Sequence, residues 1–122
     1  MPRPHRQRDV DFRVLDDHLE MTVSFPQQPD RNYTHRCTRE IFREVAYAIE
    51  ERAVAPGSHG STLEELVEAI DAPYTQVNVA LAFMKERGCV EVRRRRTFPA
   101  SGWLYEDAMI EFMALAECPQ TE

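Results

Sequence analysis

The sequence predicts an α+β fold, mainly helical, from three observations. Residues 62–90, TLEELVEAIDAPYTQVNVALAFMKERGCV, hold two segments of helical apolar periodicity, split by a Pro turn and closed by a Gly ahead of a β-prone run. Residues 10–25 hold two β-prone pieces, and residues 106–117 an apolar helical segment. A chain of 122 residues, 43% of them apolar, is the size of one domain and can bury a modest core without staples.

The elements follow in order. Residues 1–9, with Arg3, Arg6 and Arg8 among Pro and polar residues, read as a disordered basic start to a single domain over 10–122. VDFRVL and LEMTVSF, joined by Asp16-Asp17-His18, predict a β-hairpin over 10–25. In its second piece Leu19, Met21, Val23 and Phe25 alternate with Glu20, Thr22 and Ser24, the pattern of a half-buried strand. Pro26 to Asn32 reads as a loop. A helix over 34–53 follows, capped by Thr34 or Thr38, with Ile41, Phe42, Val45, Ala46 and Ile49 on its inner face.

The stretch 55–60, APGSHG, breaks the chain, and Ser61 with Glu64 or Thr62 with Glu65 supplies a capping box for a helix over 62–71. Leu63, Leu66, Val67 and Ile70 form its apolar stripe, and Asp71-Ala72-Pro73 ends it, because Pro disfavours helical geometry at Ala72. A helix over 74–87 carries Val77, Ala80, Leu81 and Met84 inward and stops at Gly88. Cys89-Val90-Glu91-Val92 opens a strand that Arg93 to Arg96 continue, 97–102 turn, and Trp103-Leu104-Tyr105 return, a hairpin over 89–105. The helix over 106–117 is apolar around more than half its circumference through Met109, Ile110, Phe112, Met113, Leu115 and Ala116.

From about Thr38 to Glu117 the chain resembles the winged helix-turn-helix superfamily, on the wording Val77, Leu81, Met84, Arg87, Gly88, Cys89, Val90. The resemblance implies a three-helix core plus a β-wing, here with an N-terminal β-hairpin and a C-terminal helix. It also implies a transcriptional regulator similar to small bacterial and archaeal winged-helix proteins, and the lack of a membrane-length apolar run or signal-peptide pattern predicts a cytoplasmic one. In that reading the helix over 74–87 enters the major groove of double-stranded DNA. Tyr74, Thr75, Gln76, Asn78 and Val79 would reach bases, and Arg93, Arg94, Arg95 and Arg96 would hold phosphate. The last helix would pair with its twin in a homodimer through Met109, Ile110, Phe112 and Met113, or else cover the N-terminal hairpin.

The formal net charge of −6 stands against a polyanionic partner, but the four contiguous arginines make a sharp basic spot on an acidic body. Ala82 and Phe83 stand where such regulators often carry Lys or Arg, and Glu64, Glu65 and Glu68 precede them. An exposed Val79/Phe83 ridge would suit a protein partner, as would the arginine wing, so the alternative is a winged-helix module that binds protein and not DNA. If the hairpin covers that ridge, the usual mode of groove reading is blocked.

Other classes find little support. The longest apolar run, Val79 to Met84, is far short of the ~18 residues of a membrane span, and Asp9, Asp11 and Arg13 interrupt any signal-peptide pattern. Three cysteines, Cys37, Cys89 and Cys118, fit a reducing compartment better than a disulfide framework. His35 with Cys37, and Asp16, Asp17 and His18, lack the companions that metal binding or nucleophilic catalysis requires, so neither a cofactor nor an enzyme is expected.

Overall fold

The computed structural model describes residues 8–117. β1 (Asp9–Leu15), β2 (His18–Ser24) and β3 (Tyr33–Thr38) form an antiparallel sheet in the order β1-β2-β3. Asp16 and Asp17, both at positive φ, make the two-residue turn between β1 and β2, a geometry whose twist matches the strands it joins. Four helices follow: α1 (Arg39–Ala53), α2 (Leu63–Ile70), α3 (Tyr74–Glu86) and α4 (Leu104–Glu117). Between α3 and α4 lies a second, two-stranded antiparallel sheet, β4 (Val90–Arg93) and β5 (Arg96–Pro99). The architecture is α+β, with four helices and two small sheets among the described residues. No helix there is long and apolar enough to cross a membrane.

The expected hairpin is therefore two strands of a three-stranded sheet, and the helix expected over 34–53 begins five residues later. Tyr33, His35 and Cys37 pair with Val23, Met21 and Leu19, while Thr34, Arg36 and Thr38 face outward. This alternation was present in the sequence, but its inward set includes a histidine, so apolar periodicity alone did not mark it. Thr38 is the cap: its hydroxyl accepts from the Ile41 amide at 3.2 Å. Thr34 instead meets Thr22 across the sheet, 3.0 Å between hydroxyl oxygens. The disordered start expected over 1–9 lies outside the described residues except for Arg8 and for Asp9, which opens β1. Cys118 also lies outside them.

One face of the sheet carries Val14, Leu19, Met21, Val23 and Cys37 into the core. The other carries a row of charge, since Arg13, Glu20 and Arg36 stand directly opposite one another on three neighbouring strands. Each guanidinium donates through Nε to a different Glu20 oxygen, both at 2.7 Å, and Glu20 is only 2% exposed beneath them. Burial pushes the Glu20 carboxyl up, but the two arginines outweigh it and hold it below the usual carboxylate range.

The core lies between this sheet and the helices. Phe42 of α1, Phe83 of α3 and Phe112 of α4 are all buried, and Phe42 packs against both others at ring separations of 5.7 and 5.0 Å. Phe12 of β1 meets Phe83 edge-on at 5.3 Å, which ties the sheet to α3. α2 begins with a complete capping box: the Thr62 hydroxyl accepts from the Glu65 amide, and the Glu65 carboxylate accepts from the Thr62 amide. Ser61, the alternative cap, exchanges two backbone hydrogen bonds with Thr97 and so adds one residue beside β5. Asp71 in the left-handed region ends α2, and Pro73 precedes α3.

The second sheet corrects the expectation for 89–105. The arginine run does not continue a strand past Arg93; Arg94 and Arg95, at φ 52 and 67, form the hairpin turn. Of the 97–102 stretch expected as the turn, Thr97, Phe98 and Pro99 belong to β5, and Ala100, Ser101 and Gly102 lead on to α4, where the Ser101 hydroxyl accepts from the Trp103 amide at 3.1 Å. Trp103-Leu104-Tyr105 does not return as a strand. Leu104, Ala108 and Phe112 recur at helical spacing and are all buried, so packing against α1 draws Leu104 into α4.

Candidate nucleic-acid interface

The four arginines have separate fates. Arg96 is drawn down to Glu65 of α2 at 3.4 Å, and Arg52 of α1 reaches the same carboxylate at 3.3 Å and the Ser61 hydroxyl at 2.8 Å. The Thr62 amide holds the Glu65 carboxyl below the usual range, burial opposes it, and Arg96 and then Arg52 each add a smaller lowering. Arg93 lies directly across the ladder from Arg96, where like charges repel. It turns away over the Phe98 ring, 4.2 Å from guanidinium carbon to centroid. Arg94 and Arg95 are exposed at the tip, and among the described residues no carboxylate pairs with Arg93, Arg94 or Arg95. The four arginines therefore do not act as one strand edge, because the middle two belong to a turn.

The tip geometry is unusual for its residues. A turn with two successive positive-φ positions favours Asn-Gly or Gly-Gly, whereas a side chain with a Cβ is held there at roughly 1 kcal/mol per position. The hairpin base is fixed from below by Gly60, at φ +77, where a Cβ would come within 2.8 Å of the Phe98 ring.

On α3 the sequence-derived contact set divides. Tyr74, Thr75 and Asn78 are exposed, and with Lys85 and the partly covered Ala82 they occupy one polar arc of the helix. Tyr74 donates from its hydroxyl to Glu64 at 3.3 Å. Gln76 is turned away from that arc: its side-chain oxygen accepts from the Thr38 amide at 3.0 Å, holding α3 to the end of β3. Val79 is wholly buried, and so is Phe83. Neither Val79 as a base contact nor a Val79/Phe83 ridge as a docking surface survives, because the three-stranded sheet covers that flank of α3. Lys85 is the exposed cation of this arc that the sequence reading passed over; its place three and seven residues after Ala82 and Asn78 was the available signal.

The candidate dimer helix divides likewise. Phe112 is core and Met109 half-buried, whereas Ile110 is 63% exposed and Met113 37%. Trp103, at 69% exposure, lies seven residues before Ile110 on the same helical side. Burial pushes the Cys37 thiol up to about 12 and raises Cys89 as well, and no group of three His, Cys, Asp or Glu able to hold a metal occurs among the described residues. Comparison of the chain with protein-family models, with curated proteins and with solved structures found no match.

Proposed function

We propose that the chain is a winged helix-turn-helix protein that binds double-stranded DNA as a transcriptional regulator, with α2 and α3 as the helix-turn-helix and the β4-β5 hairpin as the wing. The observation that carries this reading is the wing tip. Arg94 and Arg95 project without carboxylate partners from a turn that smaller residues would fill at lower energy. Phosphate is the ligand for which two exposed, unpaired guanidiniums are suited. Arg93, held over the Phe98 ring, adds a third cation at the same edge.

The base-reading set is then narrower than the sequence implied. Asn78 has the paired donor and acceptor that match adenine, Thr75 can meet a base or phosphate, and Tyr74 and Lys85 flank them on the same exposed arc. Gln76 and Val79 are excluded by their internal roles. Arg96 supports the wing from Glu65 and does not join the phosphate set. Homodimerisation belongs to the same reading, through the exposed Trp103, Ile110 and Met113 of the α4 side.

The test is fluorescence anisotropy of a short mixed-sequence duplex titrated with protein at several salt concentrations. Binding that weakens with salt is expected, and Arg94→Glu with Arg95→Glu should abolish it at physiological salt. Replacing the pair by neutral residues should flatten the log-log salt slope by about 1.8, two phosphate contacts at ~0.9 each. Affinity unchanged by the charge reversal would remove the wing from the interface and the reading with it.

A further inference from the structure

A second feature faces solvent with the opposite sign. α1 carries Glu40, Glu44, Tyr47 and Glu51 at successive helical spacings along one stripe, and this stripe lines an open groove of about 990 Å³ together with Ala69 and Ile70 of α2 and Tyr105 and Glu106 of α4. Five glutamates line the groove against two arginines. Arg52 is engaged outside the groove by Ser61 and Glu65, while Arg43 stays within it and donates to the Tyr105 hydroxyl at 3.0 Å, so the carboxylates remain in excess. Glu40, Glu44, Glu51 and Glu106 have no cationic partner among the described residues. Tyr47, 57% exposed, makes a T-shaped contact with Tyr105 at 6.5 Å and presents its ring to solvent among these carboxylates.

Carboxylates surrounding an aromatic face are a receptor for guanidinium, which pairs with the former and stacks on the latter. The same chain presents two unpaired guanidiniums on a protruding turn. We propose that the groove receives the Arg94-Arg95 tip of a second copy of this chain, so that the DNA-free protein associates head to tail and masks its own wing. The inference rests on the assignment of the tip to DNA, and extends it to regulation: an arginine held in a neighbour's groove cannot hold phosphate, so DNA and self-association compete. Tip and groove are different patches, so one contact leaves a free tip and a free groove, and assemblies close by reciprocal contacts or grow. The Trp103 and Ile110 stripe borders the groove, since Glu106 lies between them on the same helical side, and apolar contact there would add to the ionic one.

Sedimentation velocity on the full chain at low and high salt tests this, with a tip variant (Arg94→Glu, Arg95→Glu) and a groove variant (Glu44→Lys, Glu51→Lys). Wild type is expected to show a larger mass at low salt that falls as salt rises. Each variant alone should sediment at the smaller mass, because tip and groove now carry like charge. An equimolar mixture should regain the larger mass, because each variant's tip is then complementary to the other's groove. Wild-type mass indifferent to salt, mass unaltered in either variant as in an α4-only dimer, or a mixture no heavier than its parts would each overturn the proposal. DNA titration of the groove variant separates the two readings. Its tip is intact, so it should bind the duplex at least as tightly as wild type; charge-swap recovery without any DNA binding would sink the DNA assignment and leave the self-contact standing.

Discussion

Glu20 shows how a residue with the wrong character for its place is accommodated. It occupies the polar phase of β2, as the alternation in LEMTVSF requires, yet it is buried because Arg13 and Arg36 fold over it from both neighbouring strands. Their own side chains remain 52% and 65% exposed, so the arrangement has one dehydrated charge and two hydrated ones. Glu20→Gln should lower stability by about 1–2 kcal/mol, the range for charge-assisted hydrogen bonds with half-solvated partners, read as a shift in urea midpoint. The sign of the pH effect follows from the depressed carboxyl. Its contribution is fully present above the ordinary carboxylate value of 4.5 and is lost as pH falls through the lower folded value. The gap in thermal midpoint between wild type and Glu20→Gln should therefore be constant near neutrality and close below about pH 4. Gly60 is the other residue fixed by its surroundings. Gly60→Ala brings a Cβ against Phe98 at a positive φ, and should destabilise by about 1–3 kcal/mol in the same assay.

At the level of elements, the two hairpins are built on one device with different residues. Asp16-Asp17 and Arg94-Arg95 both form two-residue turns at positive φ, and neither contains glycine. Aspartate tolerates that conformation through its short polar side chain; arginine has no such compensation. Replacing the tip by Arg94→Asn with Arg95→Gly should stabilise the fold by roughly 0.5–1 kcal/mol in chemical denaturation. On the proposed DNA-binding reading the same change should weaken affinity for the duplex, and a variant that gains stability without losing affinity would show the tip to be structural only. β3 illustrates a different limit of sequence reading. Its six residues carry strand character in Tyr33, Thr34, Cys37 and Thr38, but no apolar stripe, because a strand that docks on α3 through Cys37 and a Gln76 hydrogen bond needs little apolar surface.

Across the whole molecule the sheet decides what α3 can do. Two helices on one flank and the sheet on the other enclose Val77, Val79, Ala80, Phe83 and Met84, leaving one polar arc to solvent. Phe83 sits where β1, α1 and α3 meet, in edge contact with both Phe12 and Phe42. Phe83→Ala should then cost about 3–5 kcal/mol, the toll of a large cavity in a packed core, and would bring the urea midpoint down steeply. A surface ridge would give a change within about 0.5 kcal/mol, so the measurement discriminates the two placements directly.

The sequence by itself determined the helices and their order, because each carries its own periodicity and punctuation: Thr62 and Glu65 start α2, Pro73 separates it from α3, and Gly88 ends the pair. It also determined that arginines cluster beside β4. Which arginines remain free, which face of α3 meets solvent, and where the hairpin turns were decided only by tertiary structure. Those outcomes depend on partners distant in the chain: Glu65 claims Arg96, Phe98 claims Arg93, Thr38 claims Gln76 and Phe12 covers Phe83. Local pattern fixes what a segment prefers to be, whereas burial and pairing between segments fix which of its side chains are left to act.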